Sequence, residues 1–471
     1  MLVMRRARSQ PFESMPAIPY EATHNEPQPP AKTFADGFDV TVIGGGLAGT
    51  AACIHLSKAG LRVLCVEPDV DDLSSVGESL DWSAPALLNA LGLGMEELIA
   101  RKIATYKRHV TLKLGDGCDR SYEPGAWLAE PPYNVELRTL HVDRSELNRL
   151  LREIVVNQGV TFLPDRVVTV ETDGRRVVAV STQNGHRISS PWFIDASGSA
   201  ASLFARAFHL PAYEAGPRKV AIWGYFPVTT PSEGTTLYSD GVKPPYMEWV
   251  WEIPINPTTI SVGYVATGET IKAQRQEGQT VEAILREKLS RFPRFASLLE
   301  SVPAITPSTT SFVCRMHGAV AGPNWLIAGE AAAMVDPMTS NGVTAALRHA
   351  SEASRLIIES RHRRRIPSLA AAMYSRRILS LAKFFNLGIE RVIYESPIRN
   401  RIGVLLAGEV YTVPAWSLNA IYTRFQPHGA FKTLLFGGVL YVLRMGEYLL
   451  YQFCKWPWPS SQAQPRKSIA W

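Results

Sequence analysis

Cysteine is scarce in this chain of 471 residues: five, at positions 53, 65, 118, 314 and 454, an odd number with no CxxC pair. That pattern excludes a disulfide framework and a cysteine zinc site, and it favours a reducing compartment. Strong charge is lacking too. Lys and Arg number 49 against 43 Asp and Glu, a net +6 that is mild for the length and does not suit a nucleic-acid-binding protein. The one dense basic cluster, Arg361-His362-Arg363-Arg364-Arg365, reads as a solvated helix end before Pro367. Long hydrophobic runs are missing as well, since no stretch reaches the ~18 uninterrupted apolar residues of a membrane span. Arg5-Arg6 has no apolar run behind it, so neither a secretory nor a twin-arginine signal is convincing. No internal repeat is present. What remains is an ordinary globular balance, 46% hydrophobic and 20% charged. At about 150 residues per domain the length suggests roughly three units. Large α/β enzymes break that rule, so the expectation is one or two intimately joined domains with appendages, in the cytoplasm. The C-terminus is a candidate for peripheral contact with the inner membrane surface.

Residues 1–36, rich in Pro, Gln, Glu and Ser, read as a disordered tail. The first strong signal is Phe38-Asp39-Val40-Thr41-Val42-Ile43, a β-branched run ending at Gly44. A helical pattern from Leu47 to Ala59 follows, and then a second buried strand, Arg62–Val66, with Glu67 at its tip. Gly44-Gly45-Gly46-Leu47-Ala48-Gly49 satisfies G-x-G-x-x-G. In that motif Gly44 allows the tight turn, Gly46 lets backbone approach a pyrophosphate at a helix N-terminus, and Gly49 lets helix and strand pack closely. Glu67, 18 residues beyond Gly49, can accept both hydroxyls of an adenosine ribose. The strand, helix, second strand and acid agree on dinucleotide binding. Only one such unit is present, so no dedicated nicotinamide fold is expected and a separate flavin reductase is the expected electron donor.

Three distant segments specify the dinucleotide. They are Arg144 in His141-Val142-Asp143-Arg144-Ser145-Glu146-Leu147, then Asp195-Ala196-Ser197-Gly198 after a buried strand, then Gly329-Glu330-Ala331-Ala332 ahead of Asp336-Pro337 and a new helix. In this order the set, over roughly residues 38–360, resembles the FAD-dependent monooxygenase and halogenase superfamily. The resemblance implies an α/β fold: a Rossmann-type FAD-binding domain, a β-rich substrate domain inserted into it, and a helical C-terminal extension. The corresponding bounds are 37–215 and 310–365 for FAD binding, with 80–140 partly facing substrate, then 216–309 for the insertion and 366–471 for the extension. Glu330 stands where the family usually has Asp.

Two further motifs narrow the family. Gly77-Glu78-Ser79-Leu80 resembles the Gly-Glu-Ser segment beside the flavin of flavin-dependent halogenases, and Trp249-Val250-Trp251-Glu252-Ile253-Pro254 matches their W-x-W-x-I-P signature in full. Thr105-Tyr106-Lys107 sits where halogenases carry an essential lysine. Spacing alone favours a strand-surface lysine there, and the hexapeptide shifts the balance towards function. The resemblance implies a cytoplasmic flavoprotein of secondary metabolism in which a flavin hydroperoxide oxidises halide to hypohalous acid. Lys107 relays that species to an aromatic, Trp249 and Trp251 line the channel, and the backbone amides of Asn341 and Gly342 hold the halide. FAD-binding positions are Gly44, Gly46, Leu47, Ala48, Gly49, Glu67, Ser79, Arg144, Asp195, Gly329, Glu330, Asn341 and Gly342, and no metal is implied. Halogenases of free tryptophan carry Glu where this chain has Thr339, just before Ser340, and tend to carry Trp where it has Thr50. The lost carboxylate points to a more activated ring, a phenol or pyrrole, free or tethered to a carrier protein or a polyene chain. The alternatives are a flavin monooxygenase acting on an aromatic, including a peptidyl tryptophan, and a flavoprotein reductase or prenyl-chain saturase.

From Phe431 to Trp458 the chain is strongly apolar, interrupted by Arg444 and Glu447. Either this segment covers the substrate domain, or Phe436, Leu440, Tyr448, Trp456 and Trp458 form a surface for a lipid interface or an acyl carrier.

Overall fold

The computed structural model describes the two-residue strand Lys32–Thr33 and residues 37–68, 76–114, 119–198, 202–239, 246–395, 406–425 and 429–455. Most of the expected tail, together with Trp456 and Trp458, therefore lies outside the described residues. Lys32–Thr33 departs from the tail reading, because it pairs in parallel with His186–Arg187.

Val40–Ile43 and Val63–Val66 are buried along their whole length, as strands covered on both faces must be. They are the centre of a five-stranded parallel sheet ordered Trp325–Ile327, Trp192–Asp195, Val40–Ile43, Val63–Val66, Thr161–Leu163. Helices Leu47–Lys58, Arg144–Asn157 and Gly342–Ser360 bury their apolar faces in the same core. The helix Arg144–Asn157 starts where expected because the Asp143 carboxylate accepts the amides of Ser145 at 3.1 Å and Glu146 at 3.2 Å.

The second sheet has seven strands ordered Ser308–His317, Ala212–Pro227, Thr259–Thr267, Trp249–Asn256, Gly234–Tyr238, His109–Lys113, Asp119–Tyr122. Its membership shifts the expected bounds of the inserted domain. Strands at 109–122 and 308–317 belong to this sheet, not to the dinucleotide-binding unit, because backbone pairing extends across the boundary read from composition. The side chains alternate strictly. Trp249, Trp251 and Ile253 face one core, while Val250, Val262 and Tyr264 face another that is covered by helices Gly268–Gln276 and Val281–Ser290.

The C-terminal extension is helical as expected: Ser368–Gly388, running on to Tyr394, then Val413–Phe425 and Ala430–Lys455. The last helix uses both of its faces. Phe436, Leu440, Glu447 and Leu450 pack inward, whereas Phe431, Leu434, Leu435, Tyr441, Val442, Met445, Tyr448 and Leu449 are exposed. Phe436 and Leu440, placed on an interaction surface by one of the two readings, belong to the core, because they fall on the turns that meet the preceding helices.

Candidate active site

The glycine turn is built as its sequence demands. Gly44 has φ +99°, and a Cβ on Gly49 would stand 1.8 Å from the Gly44 carbonyl oxygen. Only glycine lets helix and turn approach this closely. Around the Gly46 Cβ position there is open space, so the free amides of the helix N-terminus face a cavity of about 680 Å³. The same cavity is walled by Leu47, Ala48, Ser79, Arg144, Gly329, Glu330, Ser340, Gly342, Trp249 and Trp251, so residues read as distant in sequence converge on one space. Arg144 is buried there. Its Nη1 donates to the carbonyls of Val76 at 3.1 Å and Gly77 at 3.3 Å, while its Nε has no protein partner. Glu67, at the strand tip, accepts the Gly45 amide at 2.6 Å. A dinucleotide-sized cavity beginning at a helix N-terminus, with an orphaned guanidinium nitrogen on its wall, fits FAD.

One residue does different work from that expected. Both Asp195 oxygens are consumed inside the protein, by Ser197 on one side and by Ser202 and the Phe204 amide on the other, so Asp195 shapes its loop and leaves the cavity wall to Ala196 and Gly198. The Asn341 side chain braces its own turn, donating to the Thr339 carbonyl and accepting from Asn419. Its neighbours Ser340, in the left-handed region at φ +58°, and Gly342 stand on the cavity wall.

The indoles of Trp249 and Trp251 face the cavity side of their strand, 5.9 Å apart. The Trp249 Nε1 donates to the Tyr394 hydroxyl at 2.8 Å and the Trp251 Nε1 to the Ser261 hydroxyl at 3.1 Å. Opposite Trp251 is Gly263, where a Cβ would meet the indole at 2.2 Å. The missing side chain is what lets the ring lie across the neighbouring strand.

Lys107 is not a surface lysine. It is fully buried on strand Ala104–Lys107, with Nζ donating to the Ser79 hydroxyl at 2.9 Å and the Leu80 carbonyl at 2.8 Å. Burial lowers its pKa to about 7, only partly opposed by the nearby Asp81 charge. Lys107 walls neither cavity directly. Through Ser79, which also receives a hydrogen bond from Ser340 at 3.1 Å, it is one hydroxyl away from the large cavity. On the other side its ammonium lies 4.5 Å from the Trp82 ring, which packs on Trp416 at 5.4 Å. Trp416 is a wall of a second, smaller cavity with about 50 Å³ of open space, lined among others by Leu112, Leu237, Met247, Trp249, Met338 and Thr339. Trp249 and Met338 separate the two spaces and wall both.

Several residues that complete this arrangement carry no local signal. Ser79 bonds Thr235 at 2.7 Å, and Thr235 bonds the His141 Nε2 at 3.0 Å. Burial, then the charges of Lys107 and His109, push His141 well below its usual range and keep it neutral. Thr235 is delivered by parallel pairing of Gly234–Tyr238 with His109–Lys113, which no local signal announces. The turn at 334–341 is clamped from the C-terminal helices. Asp336 meets Lys219 at 3.2 Å and Tyr394 at 3.3 Å, Lys219 meets Glu390 at 3.0 Å, the Asp336 amide donates to the Asn386 side-chain oxygen, and Trp416 donates to the Thr339 carbonyl. Among the described residues there is no cluster of His, Cys, Asp and Glu able to hold a metal.

Residues 131–379, more than half of the chain, match the family model for tryptophan halogenase. The chain belongs to the tryptophan halogenase family. Residues 39–209 of this family member also match the FAD-dependent oxidoreductase model, in keeping with the cavity, and FAD is its cofactor. Among its relatives, the tryptophan 2-halogenase of Chondromyces crocatus is 28% identical over 66% of this chain and 59% of its own length. The flavin-dependent halogenase armH5 of Armillaria mellea is 28% identical over 70% of this chain and 66% of its own length, so the chain spans less than two thirds of these two relatives. A chlorinase of Pseudomonas fluorescens, named for 1H-pyrrole-2-carbonyl-[peptidyl-carrier protein], is 26% identical over 80% of this chain and 90% of its own. The fold is shared with the flavin-dependent brominase Bmp2, with a TM-score of 0.66 at 19% identity over 87% of this chain and 99% of that one. Together these show the family, an FAD-dependent oxidoreductase domain and the α/β fold with the helical extension described above.

Proposed function

We propose that this enzyme halogenates an electron-rich aromatic, a phenol or a pyrrole, free or presented on a carrier protein, and that Lys107 passes the halogen to it. The observation that carries the reading is a fully buried lysine held between an FAD-sized cavity and an apolar one. The pyrrole-directed relative is what favours an activated ring on a carrier.

Bound and reduced, FAD supplies with O₂ the oxidising equivalent that converts a halide ion to hypohalous acid. A pKa of about 7 leaves much of Lys107 as free amine near neutrality. The amine lone pair then takes the halogen from hypohalous acid, forming N–X and releasing water. The ring carbon takes X from nitrogen, and the proton the ring loses returns to the amine. Ser79 and the Leu80 carbonyl fix the direction of the Nζ during both steps. Trp249 and Met338 keep the ring out of the cofactor cavity, and the apolar walls beside Thr339 offer no buried charge for the carboxylate or ammonium of a free amino acid. The small open volume enlarges by moving Met247 and Met338, unbranched side chains that re-pack readily. A separate flavin reductase is the electron donor in this scheme.

The test is product analysis by mass spectrometry on phenol and pyrrole probes, with a flavin reductase and NAD(P)H, in chloride, in bromide or with neither. A halogenated product that requires halide, and that disappears in Lys107→Ala while the FAD content is unchanged, is the expected result. A hydroxylated product formed without halide would instead make this a monooxygenase. Near wild-type halogenation by Lys107→Ala would remove Lys107 from the scheme.

A further inference from the structure

The last helix, Ala430–Lys455, carries a face that is exposed among the described residues. Leu434, Leu435, Val442, Met445, Tyr448 and Leu449 recur at helical spacing and are 44–68% exposed. Within residues 430–453 the most apolar stretch is only 22% buried, so this helix is long and apolar enough to cross a membrane by length and composition. Its inner face, with Phe436, Leu440 and Leu450, is packed on the protein, so the helix lies along the protein with its other face outward. The charges are arranged to match. Lys432 is exposed at the start, Arg424 is exposed at the end of the preceding helix, and Lys455 is the last helical residue. Glu447, the one acid of the helix, is turned inward and 4% exposed.

From these observations we propose that this face docks on the surface of a lipid bilayer bearing anionic head groups. An apolar stripe flanked by cations and cleared of acids complements such a surface. A second copy of the chain fits less well. At 1.5 Å per residue the 26-residue helix is about 39 Å long, and a stripe ~10 Å wide would bury about 390 Å² per copy, against the ~800 Å² per partner of a stable complex. An acidic carrier protein would need cations spread along the stripe, and between Leu434 and Leu449 the single one is the half-buried Arg444. The same helix packs on the turn Ala407–Thr412, whose Gly408 and Thr412 wall the apolar cavity, so docking here brings that cavity close to the lipid. A lipophilic aromatic could then reach it from the membrane.

Flotation of the full-length, FAD-loaded protein with vesicles tests this. With phosphatidylcholine mixed with phosphatidylglycerol the protein should float, and with phosphatidylcholine alone it should float less. The triple substitution Leu435→Asp, Val442→Asp, Leu449→Asp should lower the bound fraction by about tenfold or more, roughly 1.4 kcal/mol, while FAD content stays the same. Quenching of wild-type tyrosine and tryptophan fluorescence by brominated lipid reports the same contact without any substitution. Protein that neither floats nor is quenched on either vesicle overturns the proposal. So does a wild-type dimer in sedimentation that the triple variant dissociates, since the face would then belong to a second copy.

Discussion

Replacing Lys107 by Met should change how the stability of this protein depends on pH. Lys107 is completely buried, and burial brings its pKa from 10.5 down to about 7. At about 1.36 kcal/mol per pH unit this drop corresponds to about 5 kcal/mol. Below pH 7 the amine is charged in both the folded and unfolded chains, and the folded state bears the full cost of a buried ammonium. Between pH 7 and 10.5 the unfolded chain holds a proton that the folded one lacks, so stability rises with pH, and above 10.5 the cost is gone. Met fills the same slot without charge but abandons the hydrogen bonds to the Ser79 hydroxyl and the Leu80 carbonyl, at about 1–3 kcal/mol independent of pH. Lys107→Met should therefore be more stable than wild type by roughly 2–4 kcal/mol at pH 6 and nearly equal to it at pH 9, where about 2 kcal/mol of the original cost remains. Urea unfolding of FAD-loaded wild type and variant at both pH values, at one ionic strength, measures the difference. Parallel pH profiles would refute the reasoning, because a lysine that keeps its ordinary pKa is not in the environment described here.

Gly49→Ala should abolish FAD binding or lower soluble yield sharply, since its Cβ would stand 1.8 Å from the Gly44 carbonyl oxygen; cofactor content by absorbance decides it. Glu447 has its pKa raised to about 7, first by burial, with Arg444 and Arg391 opposing. The folded state is thus penalised as pH rises from the ordinary carboxylate range through 7, and Glu447→Gln should melt higher than wild type at pH 8 but not at pH 4.5. Thr235→Val severs Ser79 from His141 and should lower the halogenation rate without loss of FAD, and an unchanged rate would show that the hydroxyl chain is dispensable.

Much of this enzyme was legible locally. Val40–Ile43, Gly44–Gly49 and Val63–Glu67 specify a dinucleotide-binding unit because strand, turn and helix are each fixed by neighbours in sequence: buried β-branched runs, glycines where backbone must touch backbone, and an acid at a strand tip. The Asp143 cap and the alternation of Trp249 and Trp251 were visible for the same reason. Sequence could not decide where Lys107 points, because one lysine on a short strand fits a solvent face as readily as a core; burial under Trp82 and the reach to Ser79 settle it. Nor could it separate Asp195, spent on its own loop, from a cofactor ligand, since both roles want an acid after a buried strand. The largest omission was the contribution of the C-terminal helices. Glu390, Tyr394, Trp416 and Asn419 hold the turn at 334–341 from positions 50 or more residues downstream, and Thr235 reaches Ser79 across 156. Contacts of that span depend on how whole elements dock, and docking is set by the summed burial of both faces, so tertiary structure alone decided which polar groups meet around the lysine.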